Sequence, residues 1–206
     1  MAVAGLGTDT GGSCRIPAAF CGVVGYKPTA RRVPIEGVLP LAPSLDSVGP
    51  LAPSVACCAA IHAVLAGETP APLPPAPLAG LRLAVPENLV LDGMDATVAT
   101  AFAHALSVLE QAGARLIHTR FSEFEAVLAA NAKGGFAASE AYAWHRTLLA
   151  ERGEIYDPRI RVRIARGERM SAADYLDVVV ARARLIASFD ARTSEYDCVV
   201  MPTVPI

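Results

Sequence analysis

The sequence has few charged and few aromatic side chains, and it has no long uninterrupted hydrophobic run. Charged residues make up 18% of the 206 residues, aromatic residues 6%, and the formal net charge is −2. Nucleic-acid backbones attract basic surfaces, so this balance argues against a nucleic-acid partner. The longest apolar stretches, such as SVACCAAIHAVLAG, are interrupted by His62 and end at Gly67. Because a membrane-spanning helix needs roughly 18 consecutive apolar residues, we predict no membrane span.

The cysteines lack the patterns typical of disulfide frameworks and zinc sites. There are five of them, an odd number, none in CxxC spacing, and no secretion signal is recognised. The four histidines (His62, His104, His118 and His145) show no paired metal spacing either. We therefore predict small buried thiols in a reducing compartment, a cytoplasmic location and no metal site.

The order of elements beyond residue 80 predicts an α/β fold. LRLAV is typical of a strand, DATVATAFAHALSVLEQAGA of a helix that ends at Gly113, and RLIHT of a second strand. Ser54 is placed to cap a helix that runs towards Gly67, and Ser171 with Asp174 forms a capping box. A long helical region is expected from about Ser122 to Gly153.

The two ends of the sequence have the character of apolar strands. Residues 1–7 precede a glycine-rich turn directly, and DCVVMP leads into the final prolines. Stable domains rarely stop within such strands, so we expect the fold to be incomplete at both ends. Sheet edges exposed in this way would favour aggregation of the chain on its own.

The glycine-rich string GLGTDTGGSCR matches none of the common nucleotide or nucleophile motifs. Thr10 stands where the dinucleotide fingerprint has its last glycine, and no helix is expected to begin there because Pro17 follows soon. Arg15 stands where the G-x-S-x-G elbow has its second glycine, and no S-x-x-K occurs. Nucleotide-binding proteins, α/β-hydrolases and β-lactamase-like enzymes are thus disfavoured.

The Gly-Gly-Ser string itself permits two interpretations. Gly11 and Gly12 would give the backbone access to φ/ψ values closed to other residues, so that several N–H groups near Ser13 face one point and suit an oxyanion. The tripeptide taken alone more often marks an ordinary turn. Arg15 has the same ambiguity, as a residue that braces the loop or as a substrate contact.

The longer string removes that ambiguity through a resemblance. GTDTGGSCRIPAAFCGVVGYKPT followed by LAPSLDSVGPLAPSV closely resembles the amidase signature family of serine hydrolases in residue identity and order. The resemblance runs from about Ala4 to Val55. A weaker likeness extends through SAADYLDVVVARAR to the closing YDCVVMPTVPI.

The resemblance implies a role for each residue of the string. Ser13 would be the acyl-enzyme nucleophile. The oxyanion hole would be formed by the backbone amides of Thr10, Gly11, Gly12 and Ser13. Supporting positions near the site would be Asp9, Arg15 and Asp46.

The resemblance also implies the fold and the partners. We expect one α/β domain, a mixed β-sheet surrounded by α-helices and incomplete at both ends. Residues 1–55 would carry the nucleophile loop and 80–206 the α/β remainder, whereas the proline- and alanine-rich composition of residues 68–79 itself predicts a semi-rigid connection. No metal and no organic cofactor is implied. The expected partner is a small-molecule amide, with no nucleic acid or membrane, and the oligomeric state is open.

The family's general base is a lysine that acts through a middle serine, and the resemblance implies that both precede the matched stretch. Lys27 in GYKPT matches a different family position. We therefore expect the 206-residue chain alone to be inactive. Two alternatives remain: the transferring subunit of a tRNA-dependent amidotransferase, and a non-catalytic remnant.

Overall fold

The computed structural model describes residues 2–206 and confirms the α/β class. The strands are β1 (Gly5–Asp9), β2 (Val24–Gly25), β3 (Ser47–Ala52), β4 (Arg82–Pro86), β5 (Arg115–Thr119) and β6 (Cys198–Val199). The α-helices are α1 (Arg15–Cys21), α2 (Val55–Leu65), α3 (Ala96–Gln111), α4 (Ser122–Ala130), α5 (Gly135–Arg152), α6 (Pro158–Ala165) and α7 (Ala172–Thr193). Short 3-10 helices cover Gly153–Ile155 and Arg166–Arg169.

The chain forms two compact units. The first contains Met1–Leu73 and Asn131–Val178, and the second contains Pro74–Ala130 and Val179–Ile206. The first boundary lies within the 68–79 segment that the sequence marks as a connection. The return of residues 131–178 to the first unit was not predicted, because it depends on contacts between segments that are distant in sequence.

The first unit is built on an antiparallel sheet. Its strand order is β1-β3-β2, and β3 pairs with β1 so that Gly7 faces Gly49 and Asp9 faces Ser47. Most of β3 is buried, whereas only Asp9, the last residue of β1, is buried in that strand. The antiparallel pairing therefore brings the end of β1 beside the beginning of β3, which is where the Gly-Gly-Ser turn and the 41–46 loop meet.

The second unit is built on a parallel sheet with strand order β5-β4-β6. The predicted strand, helix and strand correspond to β4, α3 and β5, and β4 and β5 pair in parallel, as expected for a β-α-β unit. The central strand supplies the buried side chains Leu83, Ala84 and Val85. The closing strand is shorter than the sequence suggests, since β6 consists of Cys198 and Val199 only.

The helix ends follow the capping signals. The Ser54 hydroxyl accepts a hydrogen bond from the N–H of Cys57 at 3.2 Å and starts α2. Before α7, the N–H of Ser171 donates to the Asp174 carboxylate at 2.9 Å, and the N–H of Asp174 donates to the Ser171 hydroxyl at 3.1 Å. Both caps are confirmed. The region from Ser122 to Gly153 is helical as predicted, with a break at residues 131–134.

One helix contradicts the sequence prediction. A helix does begin directly after the glycine-rich turn, because α1 runs from Arg15 to Cys21 with Pro17 in its first turn. The backbone N–H groups of a first turn have no helical acceptor, so a proline costs little there. Gly22 ends the helix in the left-handed conformation, at φ 65°.

Candidate active site

Ser13 lies in the turn that connects β1 to α1. β1 ends at Asp9 and α1 begins at Arg15, so residues 10–14 form the whole connection. The Ser13 side chain is exposed, and within residues 2–206 its hydroxyl has no hydrogen-bond partner. The serine is therefore accessible to a molecule that approaches the turn from solvent.

The buried carboxylate of Asp9 accepts hydrogen bonds from several residues of this turn. Asp9 is fully buried, and its two oxygens accept hydrogen bonds from the N–H of Gly12 at 2.7 Å and of Cys14 at 3.2 Å. The Arg15 guanidinium donates to the same carboxylate through Nε and Nη2, each at 2.9 Å. Such bidentate contacts fix both partners in one orientation. The last residue of the strand thus holds the turn and the first residue of the helix.

These contacts also determine the charge of Asp9. Burial opposes its ionisation, but the hydrogen bond from Arg15, the amides of Gly12 and Cys14 and the positive charge of Arg15 outweigh burial and lower the Asp9 pKa from 3.8 to about 2. At neutral pH the group is a carboxylate that only accepts hydrogen bonds. It cannot act as a proton donor to a substrate at that pH.

The need for glycine differs between the two glycines of the turn. Gly12 has φ +125°, and an added Cβ would lie 2.5 Å from Cδ1 of Ile16. Gly11 is not among the described residues with positive φ, and an added Cβ would meet nothing within 4 Å. The expectation of a special backbone conformation is met at Gly12 and not at Gly11.

The backbone amides of the turn also fall into two groups. The Gly12 N–H is engaged by Asp9. In the part of the chain that the structure describes, the N–H groups of Thr10, Gly11 and Ser13 have no backbone or side-chain acceptor. Three of the four amides that the resemblance assigns to an oxyanion hole are thus available to a ligand, whereas the fourth supports the turn.

Thr10 is held by the neighbouring 41–46 loop. Its hydroxyl donates to the buried Asp46 carboxylate at 2.5 Å. The same carboxylate accepts the N–H of Leu41 at 2.9 Å and that of Ala42 at 3.1 Å. Asp46 therefore closes its own loop and ties it to the first residue of the Ser13 turn.

Glycines of β1 and β3 pack closely against neighbouring residues. An added Cβ on Gly7 would lie 2.9 Å from the Cys14 sulfur, and one on Gly49 would lie 1.9 Å from the Tyr26 carbonyl oxygen. Burial, and then the charge of Asp9, raise the pKa of the Cys14 thiol. Cys14 is fully buried, so this protonated thiol is a packing group and not a competing nucleophile.

The side chains of both lysines of the chain contact groups other than Ser13. Lys27 Nζ donates to the Pro28 carbonyl oxygen at 2.8 Å and to the Ser47 hydroxyl at 3.3 Å. Lys133 forms an ion pair with Asp174. Neither is hydrogen-bonded to Ser13, which agrees with the assignment of Lys27 to a position other than the general base.

Residues 2–206 contain neither a metal-binding cluster nor a helix suited to a membrane. No group of three or more His, Cys, Asp or Glu side chains in this range is arranged so that it could hold a metal ion. None of the helices in the same range is long and apolar enough to cross a membrane.

Comparisons with known proteins give the family of the chain. The chain is 36% identical to 2-amino-5-chloromuconic acid deaminase of Comamonas testosteroni over 206 residues, which is 99% of the chain and 45% of that protein. It is 35% identical to a glutamyl-tRNA(Gln) amidotransferase subunit of Chloroflexus aggregans over 235 aligned positions, covering 97% of the chain and 48% of that protein. The chain thus spans about half the length of these relatives.

A solved structure and a family model identify the class and then the family. The fold superimposes on the crystal structure of an amidase with a TM-score of 0.89 and 33% identity, covering 98% of this chain and 45% of the other. The α/β architecture is therefore the one found in amidases. The Amidase family model matches residues 1–206, and the chain belongs to the amidase family, which confirms the resemblance.

Proposed function

We propose that Ser13 is the nucleophile of an amidase that converts a carboxylic amide to an acid and ammonia or an amine. The observation that carries this proposal is the exposed Ser13 hydroxyl on a turn whose neighbouring N–H groups, those of Thr10, Gly11 and Ser13, have no acceptor within residues 2–206. A nucleophile needs access to the carbonyl carbon, and the oxygen of that carbonyl needs donors that are already in place.

The reaction would proceed in two halves. Ser13 Oγ bonds to the carbonyl carbon as its proton passes to a base, and the carbonyl π electrons move to the oxygen, which accepts hydrogen bonds from the unengaged amides. Collapse of this oxyanion breaks the C–N bond, and the leaving nitrogen takes a proton. Water then attacks the Ser13 ester and releases the acid. Each such donor is worth roughly 10²–10³ in rate.

Within residues 2–206 neither lysine is hydrogen-bonded to Ser13, so neither is assigned as its general base. Lys27 and Lys133 have other partners, and the resemblance implies a lysine that acts through a middle serine, both preceding the matched stretch. We therefore propose that Ser13 is activated only in a polypeptide that includes those residues. The 206-residue chain alone should show ordinary serine reactivity.

Labelling with a fluorophosphonate tests the nucleophile. We expect the full-length natural protein to be labelled on Ser13, the Ser13→Ala variant to lose labelling, and the 206-residue chain alone to stay unlabelled. Ser107→Ala is a matched control, because Ser107 is an exposed serine in α3. Labelling of the full-length protein that persists in Ser13→Ala would assign the nucleophile elsewhere. Labelling of the short chain that is lost in Ser13→Ala would mean that a base lies within residues 1–206.

A second candidate function is favoured by the similarity to amidotransferase subunits. In that case the same Ser13 turn would work within a complex, releasing ammonia for transfer to an acyl group on tRNA. Purified protein that hydrolyses simple amides without a partner supports the amidase. Hydrolysis that requires the addition of a second polypeptide supports the amidotransferase. A folded full-length protein that is neither labelled nor active would be the non-catalytic remnant.

We further propose a small-molecule amide as substrate and a cytoplasmic location. The location is supported by the five cysteines, all of which are free. Cys14 and Cys58 are buried as predicted, whereas the prediction of a buried thiol is wrong for Cys21, Cys57 and Cys198, which are exposed. Exposed thiols persist most readily in a reducing compartment.

A further inference from the structure

The 41–46 loop, which holds Thr10 through Asp46, is itself fixed by a residue distant in sequence. The N–H of Ser44, in the middle of this loop, donates to Oε2 of Glu140 at 2.9 Å. Glu140 lies in α5, 96 positions further along the chain. Both residues belong to the first unit, so the contact lies within one compact body.

The Glu140 side chain is held at both oxygens. While Oε2 accepts the Ser44 N–H, Oε1 accepts the hydroxyl of Tyr175 at 3.0 Å. The Tyr175 ring packs edge-on against Phe136, with ring centroids 5.6 Å apart. Phe136 lies one helical turn before Glu140 in α5. The carboxylate therefore cannot rotate away from the loop without losing a second hydrogen bond.

The helix that carries Glu140 is also fixed in place. Gly167 lies so close to α5 that an added Cβ would be 2.1 Å from the Ala138 carbonyl oxygen. Ala138 and Ala141 on either side of Glu140 are buried. Interiors packed this closely transmit small displacements instead of absorbing them.

We propose that Glu140 is a positioning residue for the Ser13 turn, an inference that rests on the proposed function of that turn. The contacts run from Glu140 to Ser44, through the 41–46 loop to Asp46, and from Asp46 to Thr10. Thr10 carries one of the unengaged amides and lies three residues before Ser13. Residues remote from the chemistry matter in this way because a displacement of about 1 Å at a reacting group can cost roughly 100-fold in rate.

The test compares variants of Glu140 in the full-length natural protein. We expect Glu140→Ala to lower the second-order rate constant of fluorophosphonate labelling about tenfold, within the range that displacement of a reacting group produces. Glu140→Gln should recover part of that loss, because its amide oxygen can still accept one of the two hydrogen bonds. Glu151→Ala is the matched control, since Glu151 is an exposed glutamate in the same helix, and it should label at the wild-type rate.

Hydrogen exchange of backbone amides gives a readout that does not depend on activity. Glu140→Ala should speed exchange in residues 39–47 and 10–16, while peptides from α2 and from the parallel sheet exchange as in the wild type. Uniformly faster exchange would mean a general loss of stability and would overturn the positioning role. Wild-type labelling and wild-type exchange in a folded Glu140→Ala variant would overturn it as well.

Failure of this inference and failure of the proposed function give different results. If the wild-type protein is not labelled, the proposed nucleophile fails, and the exchange of residues 10–16 still decides whether Glu140 controls the turn. If Glu140→Ala does not fold, Tyr175→Phe removes only one of the two hydrogen bonds to Glu140. That variant should slow labelling by about twofold to threefold, the effect of a fraction of one hydrogen bond, and unchanged labelling would overturn the role.

Discussion

Replacing Gly49 by alanine is expected to lower the free energy of unfolding of the natural protein by about 3 kcal/mol, at the upper end of the usual cost of overpacking. The new Cβ would lie 1.9 Å from the carbonyl oxygen of Tyr26 and 3.3 Å from Cδ of Pro28. Backbone oxygens cannot turn aside as a flexible side chain can, so β3 and the segment after β2 must separate. For a cooperative unit of about 200 residues the midpoint of thermal unfolding should fall by roughly 7 °C, and by proportionally less for a longer unit.

Gly5→Ala is the matched control for this prediction. Gly5 lies in β1 of the same antiparallel sheet, and its added Cβ would be 3.8 Å from the nearest atom, Cβ of Leu51, which is an ordinary contact. We expect its thermal midpoint to stay within a few degrees of the wild type. Equal midpoints for Gly49→Ala and Gly5→Ala would show that the close approach of Gly49 to Tyr26 is not needed for stability.

The elements with strong local signals are the ones that the sequence predicts correctly. Ser54 and the Ser171–Asp174 pair mark helix starts because capping needs only residues within one turn. The β-α-β order after residue 80 is similarly a local pattern of strand and helix periods. The family, too, is identifiable from the string around Ser13, which is contiguous in sequence.

The features that the sequence does not reveal depend on contacts between distant segments or on an exact helix start. Pro17 argues against α1 because proline usually breaks a helix, and its tolerated position in the first turn is known only once the helix start is known. Glu140 has no motif, since a glutamate in a helix is ordinary until its contact with Ser44 is seen. The engagement of the Gly12 amide by Asp9 similarly depends on the turn's three-dimensional path.

Replacing Asp9 by asparagine is expected to destabilise the natural protein by about 3 kcal/mol and to disorganise the Ser13 turn. Breaking a buried ion pair costs roughly 3–5 kcal/mol, and we expect the lower end because the Arg15 side chain is 47% exposed and regains water. The new amide group would also place N–H donors where Gly12 or Cys14 now donates. Chemical denaturation of the natural protein at pH 7 measures this loss. Asp190→Asn, at an exposed position in α7, should change stability by less than about 0.5 kcal/mol.

The pH dependence of the stability difference between wild type and Asp9→Asn shows whether the charge of Asp9 causes it. The pKa of Asp9 is lowered from 3.8 to about 2 on folding. Its ionisation therefore contributes about 2 kcal/mol that is fully present above roughly pH 5 and is lost as the pH falls through 3.8 towards 2. Asparagine does not titrate, so the stability gap between wild type and Asp9→Asn should narrow by about 2 kcal/mol between roughly pH 5 and pH 2. The other carboxyl groups titrate in both proteins, so their contributions to the free energy of unfolding cancel in the difference. A gap that stays constant over this range would mean that Asp9 acts by its shape and packing, and that the charge of Arg15 is not what holds the Ser13 turn.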